Sequence, residues 1–144
     1  MKVEKRDIPG TRLKPELERN TIRSIRAKWN VPLVNYYGPR EHRPASLWSR
    51  LPESSLETDR SVLCKISGKD DRYFLYIEDP YPGMIYEAAL EEIVGYLLSV
   101  PEYGFRPSHY IVPTNLNWLV AHTDEEIKSG HLVLFDGPVP LSIA

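Results

Sequence analysis

The stretch His109–Asp136, HYIVPTNLNWLVAHTDEEIKSGHLVLFD, constrains the chain most, because strand-type residues are densest there and two turn signals divide them. Tyr110, Ile111 and Val112 run together as aromatic and β-branched residues. Pro113-Thr114-Asn115 follows with turn chemistry: proline fixes φ, and asparagine tolerates left-handed backbone. From Leu116 to Thr123 the pattern alternates, with Leu116, Trp118 and Val120 on one side and Asn117, Leu119 and Ala121 on the other. The second set is only partly polar, which predicts a central strand covered on much of both faces. Asp124-Glu125-Glu126 opens a polar connection to Gly130, and a short apolar run to Phe135 stops at Gly137-Pro138. Joined by short connections, these strands make a meander over 109–135.

Upstream, Pro15 suits a first helical turn, and Ile22, Ile25 and Trp29 follow at helical steps, so a helix is expected over 16–29 with Leu17 on the same stripe. Arg19, Arg23 and Arg26 are expected on its opposite, solvated face as a basic ridge. Residues 31–60 are rich in proline and aromatics and read as a long loop, which in a compact domain often carries function or wraps a core edge. Val62, Cys64 and Ile66 alternate, Gly68-Lys69-Asp70-Asp71 supplies a turn, and RYFLYIE alternates again, so a hairpin is expected over 62–78. Met84 to Val100 carries apolar residues at three- and four-residue steps, and Leu90, Val94 and Leu98 widen that stripe into a helix over 84–100. The expected architecture is a single α+β domain over 1–144. It has one antiparallel sheet of about five strands, two main helices mostly on one face, and a basic arm and helix over 1–30.

Composition narrows the function classes. A chain of 144 residues with one cysteine, Cys64, forms no intrachain disulfide and no multi-cysteine zinc site. The amino terminus has no apolar leader, and no run approaches the roughly 20 apolar residues that span a bilayer, so a soluble, cytoplasmic protein without a membrane role is expected. Charge is sorted along the chain. Residues 1–50 hold 12 Lys/Arg against 5 Asp/Glu, and residues 51–144 hold 6 against 15, a balance of +7 and −9. Such a division suits a basic partner on the acidic side, a nucleic acid on the basic side, or attraction between the two halves within the fold.

The chemistry-bearing residues point the same way. His42, His109, His122 and His131 lack close ligand spacing, although His122 with Asp124 or Glu126, and His131 near them, is the one arrangement that invites a metal. Adjacent acids in turns diverge and make poor catalytic dyads. No serine sits in a nucleophile elbow, and no glycine-rich phosphate loop occurs. No catalytic residue, metal or cofactor is therefore assigned. A small hydrolase or transferase with a site near His122 is kept as an alternative. The partner-binding candidates are Asp124, Glu125 and Glu126, with Asp70 and Asp71 and the loop tyrosines Tyr36 and Tyr37. Glu78 and Asp79 add to the acid around the hairpin. Arg19, Arg23, Arg26, Arg40 and Arg43 form the nucleic-acid alternative.

The segment Tyr110–Gly130, with Trp118-Leu119, Asp124 to Glu126 and Gly130, resembles a pattern in small bacterial proteins of unknown function and in immunity proteins of polymorphic toxin systems. Some of those proteins carry two histidines just before the acid, where this chain has Ala121-His122-Thr123. The resemblance implies a non-enzymatic, cofactor-free cytoplasmic protein that neutralises a toxin by binding it. The reading is thus a protein-binding module for a basic toxin or effector.

Overall fold

A computed structural model of the protein describes residues 7–30, 47, 56–57, 60–78, 82–100, 108–125 and 130–142. It is an α+β fold with one antiparallel sheet. The strands are β1 (Thr11–Arg12), β2 (Leu56–Glu57), β3 (Tyr73–Ile77), β4 (Met84–Ala88), β5 (His109–Pro113), β6 (Leu119–Glu125) and β7 (Gly130–Asp136). Their order across the sheet is β1-β4-β3-β5-β6-β7-β2. The five strands of five residues or more form the body, and the two dipeptide strands close its edges. The expected meander is present as β5-β6-β7, with His109 opposite His122 and Val120 opposite Phe135.

The helices are α1 (Pro15–Lys28) and α2 (Leu90–Ser99). They divide between the two faces of the sheet rather than sharing one. On one face Ile22 and Ile25 of α1 pack with Tyr76, Ile85, Tyr110, Leu119 and Ala121. On the other, Ile93, Tyr96 and Leu97 of α2 pack with Leu75, Ile77, Ile111, Val120 and Val133. Consecutive strand residues therefore alternate between two cores, as a period of two requires. Each fully buried isoleucine or leucine contributes about 1.5–3 kcal/mol relative to exposure. This double cover is what the apolar residues on both sides of β6 call for. Pro15 opens α1, and Asn30 ends it in left-handed backbone at φ 61°. Leu17 departs from the expected stripe and is exposed. Glu18 is buried in its stead, because it accepts hydrogen bonds from Arg12 and from the Ile85 backbone N–H.

Two expected elements are redrawn. Met84–Ala88, read as the start of a helix, is strand β4. It pairs with β3 from Ile77 opposite Met84 to Tyr73 opposite Ala88. Its residues satisfy both periods, and the turn at Gly83 decides between them. Gly83 sits at φ 118°, where a side chain would meet Tyr76 and the Ile77 carbonyl. The helix then begins only at Leu90, after extended Ala89. The first half of the expected hairpin over 62–78 is not a strand either. Arg60–Lys65 forms a 3-10 helix. Leu63 and Ile66 point inward, three residues apart, as three residues per turn demands, and Cys64 is exposed rather than buried. The carboxy-terminal tail holds this segment: Ile66 bridges to Leu141, Ser67 N–H donates to the Pro140 carbonyl, and Ser142 N–H donates to that of Lys65. No helix among the described residues is long and apolar enough to cross a membrane.

Candidate functional site

The register between β3 and β4 sets the site. Because Tyr73 lies opposite Ala88, the turn before Tyr73 arrives beside the start of α2. Gly68 makes that approach close, since a Cβ there would collide with the Tyr73 hydroxyl, and Asp70 N–H donates to the same hydroxyl at 3.4 Å. Between this turn, the 3-10 helix and α2 lies a partly open groove of ≈ 680 Å³. Its apolar wall is Leu63, Ile66, Ala89, Leu90, Val94 and Leu98. Asp70, Asp71 and Glu91, all exposed, line the end nearest the start of α2, and Cys64, Ser67, Gly68 and Gly95 are the other described lining residues. No ion pair joins those three carboxylates to a described residue. Lys65, Lys69 and Arg72 flank them in sequence but do not line the groove.

Of the sequence-derived partner residues, Asp70 and Asp71 therefore meet in one groove. Asp124 and Glu125 fall on β6, opposite His131 and Gly130, at the far end of a different strand pair. Tyr36, Tyr37 and Glu126 lie outside the described residues. Glu91, Leu90, Val94 and Leu98 belong to the groove and were not singled out as binding residues. Their signal was present: α2 carries apolar residues at 90, 94 and 98 besides those at 93 and 97, more than one buried stripe requires.

The basic candidates separate. Arg19 and Arg23 are exposed on α1, while Arg40 and Arg43 lie outside the described residues. Arg26 leaves the expected ridge altogether: it is 1% exposed and points into the sheet. Its Nη1 donates to Glu78 Oε2 at 3.0 Å and to the Tyr76 hydroxyl at 3.3 Å. Glu78 also accepts from the Leu47 N–H at 2.9 Å and from the Tyr110 hydroxyl at 2.8 Å. The Tyr76 and Tyr110 rings stack beside them, with centroids 5.4 Å apart. Burial alone would lower the Arg26 pKa, but Tyr76 and Glu78 outweigh it and hold the guanidinium firmly charged. Glu78, one of the acids expected at the surface around the hairpin, is thus consumed inside the protein as the counter-ion of α1.

Two of the four histidines form a further buried pair, while His42 lies outside the described residues. His109 and His122 face each other across β5 and β6 with ring centroids 6.3 Å apart, and are 2% and 1% exposed. The Tyr96 hydroxyl lies 3.4 Å from His109 Nε2, and burial raises the Tyr96 pKa and keeps it a neutral phenol. His122 does not line the groove beside α2. Among the described residues no three of His, Cys, Asp or Glu converge as metal ligands.

Fold and groove together define a small α+β protein whose apolar cleft ends in acid that pairs with no other described residue. No family model, curated protein or solved structure matches the chain.

Proposed function

We propose that this is a non-enzymatic module that binds a basic partner protein through the groove between α2 and the turn at Asp70-Asp71. The observation that carries this is the coincidence of an apolar wall with three exposed carboxylates that, among the described residues, have no ion-pair partner and share the lining with no lysine or arginine. Apolar surface supplies affinity on burial, and the acid selects for and steers a cationic partner. The specific form of the reading is an immunity-type protein neutralising a basic toxin or effector, which the resemblance over Tyr110–Gly130 supports. It places the protein in the cytoplasm, where an exposed Cys64 stays a thiol. A nucleic acid fits this groove poorly, because phosphates and carboxylates repel. The exposed basic residues of the nucleic-acid alternative that are described, Arg19 and Arg23, sit on α1 across the sheet.

The test is co-purification and titration with the product of the neighbouring gene. Wild-type protein is compared with the triple charge reversal Asp70→Lys, Asp71→Lys, Glu91→Lys. The expected result is a complex that slows alkylation of Cys64, relieves the partner's toxicity, and weakens both in the triple variant and in high salt. No complex and no protection from toxicity, or a complex indifferent to the three charges, overturns the reading.

A further inference from the structure

The groove is polarised, and its polarity describes what fits it. Its three carboxylates lie at one end, because the β3–β4 register brings Asp70 and Asp71 beside Ala89 and Leu90, and Glu91 is in the first turn of α2. From there the wall is apolar along the helix: Leu90, Val94 and Leu98 recur every four residues as one ridge. These three pack against the core beneath and keep part of their surface exposed, while Ile93 and Leu97 on the sheet side are fully covered. Gly95 also lines the groove, to one side of the ridge, and adds no side chain there. A ridge at four-residue spacing is a surface against which the side-chain ridge of another helix packs. Leu90 to Leu98 spans about 12 Å at 1.5 Å per residue, a little over two helical turns.

We infer that the occupant of the groove is an amphipathic helical segment of the basic partner, lying antiparallel to α2 with lysine or arginine in its last turn. Charge complementarity fixes which end sits where. The cations lie over Asp70, Asp71 and Glu91, at the start of α2. A helix carries its cations most favourably at its own carboxy terminus, where the peptide dipoles leave negative charge. A carboxy terminus placed at the start of α2 means that the two helices run in opposite directions. Apolar residues three and four apart in the partner then fall on Leu90, Val94 and Leu98, with Leu63 and Ile66 as the opposite wall. This is recognition of a helix in a groove, read by anchors at helical spacing. It rests on the proposed function above.

A displayed library of random peptides of about sixteen residues, long enough to form a helix when bound, is selected on the full chain. A parallel selection is run on the Asp70→Lys, Asp71→Lys variant. Selected peptides are then synthesised and titrated against both proteins and against Cys64 alkylation. The expected winners carry apolar residues at three- and four-residue spacing followed by lysine or arginine. They slow Cys64 alkylation, and they bind the variant about tenfold more weakly, the scale of a few exposed ion pairs. Winners that meet the charge and cysteine criteria but alternate with a period of two overturn the helical inference and leave the proposed function standing. Winners with cations in the first turn overturn the antiparallel orientation. Winners indifferent to the charge reversal, or no winners at all, overturn this inference. If the neighbouring gene product nevertheless binds in a charge-sensitive way, the proposed function stands without it.

Discussion

At the scale of single residues, two charges that a polarity pattern assigns to solvent are the ones the fold buries. Glu18, Ile22, Ile25 and Arg26 make up the buried stripe of α1, so half of that stripe is ionised. Sequence periodicity correctly identifies the isoleucines, but it cannot show that a glutamate on α1 and another after β3 lie within reach of arginines. Removing one partner of a buried pair leaves the other charge uncompensated, at a cost of about 3–5 kcal/mol. Glu78→Gln is accordingly expected to destabilise the protein on that scale, read as a fall in the urea midpoint, whereas Arg19→Gln on the exposed face should change it by less than about 0.5 kcal/mol. Glu18 adds a pH dependence. Burial pushes its carboxyl up, but hydrogen bonds from Arg12 and the Ile85 N–H, with the Arg12 charge, more than offset this and hold it below its ordinary value of 4.5. A carboxyl depressed in the folded state contributes stability above the unfolded value and loses it as pH falls through the folded one. The urea midpoint should therefore drop below pH 4.5, and the gap between wild type and Glu18→Gln should narrow over the same range.

At the scale of elements, legibility depended on whether a segment satisfies one period or two. Residues 109–123 alternate over enough positions to fix the strands, and the turn at 113–116 follows its proline, although the left-handed residue is Leu116 at φ 58° and not Asn115. Leu116 thereby drops out of phase with Trp118 and joins the opposite core. Met84–Ala88 obeys both the strand and the helix period. The turn at Gly83 and the hairpin pairing with β3 settle it, and the apolar period alone contains no such information. The second ridge of α2 was legible as an excess of apolar residues, but not its purpose, which depends on a turn twenty residues upstream arriving beside it. Gly95 belongs to this element. A glycine within a helix costs about 1 kcal/mol relative to alanine. Gly95→Ala should raise the thermal midpoint by roughly 2–4 °C for a chain of this size, and should weaken partner binding by adding a methyl group to the groove wall, as calorimetry on the same samples would show.

For the whole molecule, the division of charge along the chain is partly an internal matter and partly an outward one. Arg26 and Glu78 join the basic first part to the acidic second part within the fold, while Asp70, Asp71 and Glu91 remain exposed. The total of charge was readable from the sequence; its partition between interior and surface required the topology. The placement of helices on opposite faces was readable in principle from the apolar residues on both sides of β6. Three carboxylates on one rim predict salt dependence. Partner association should slow as ionic strength rises, while the rate of dissociation changes little, in a stopped-flow comparison at low and physiological salt.

The dipeptide strand β1 and the Glu18 carboxylate have one more effect. Thr11 and Arg12 pair with Glu87 and Tyr86, Leu13 N–H donates to the Ile85 carbonyl, and Glu18 accepts the Ile85 N–H. The outer rim of β4 is thereby quenched by an arm and a side chain too short to serve as a template themselves. A bare strand rim recruits other chains. Deleting residues 1–14 should consequently increase light scattering and the uptake of amyloid-sensitive dye on standing, and adding residues 7–14 back as a free peptide should slow that growth.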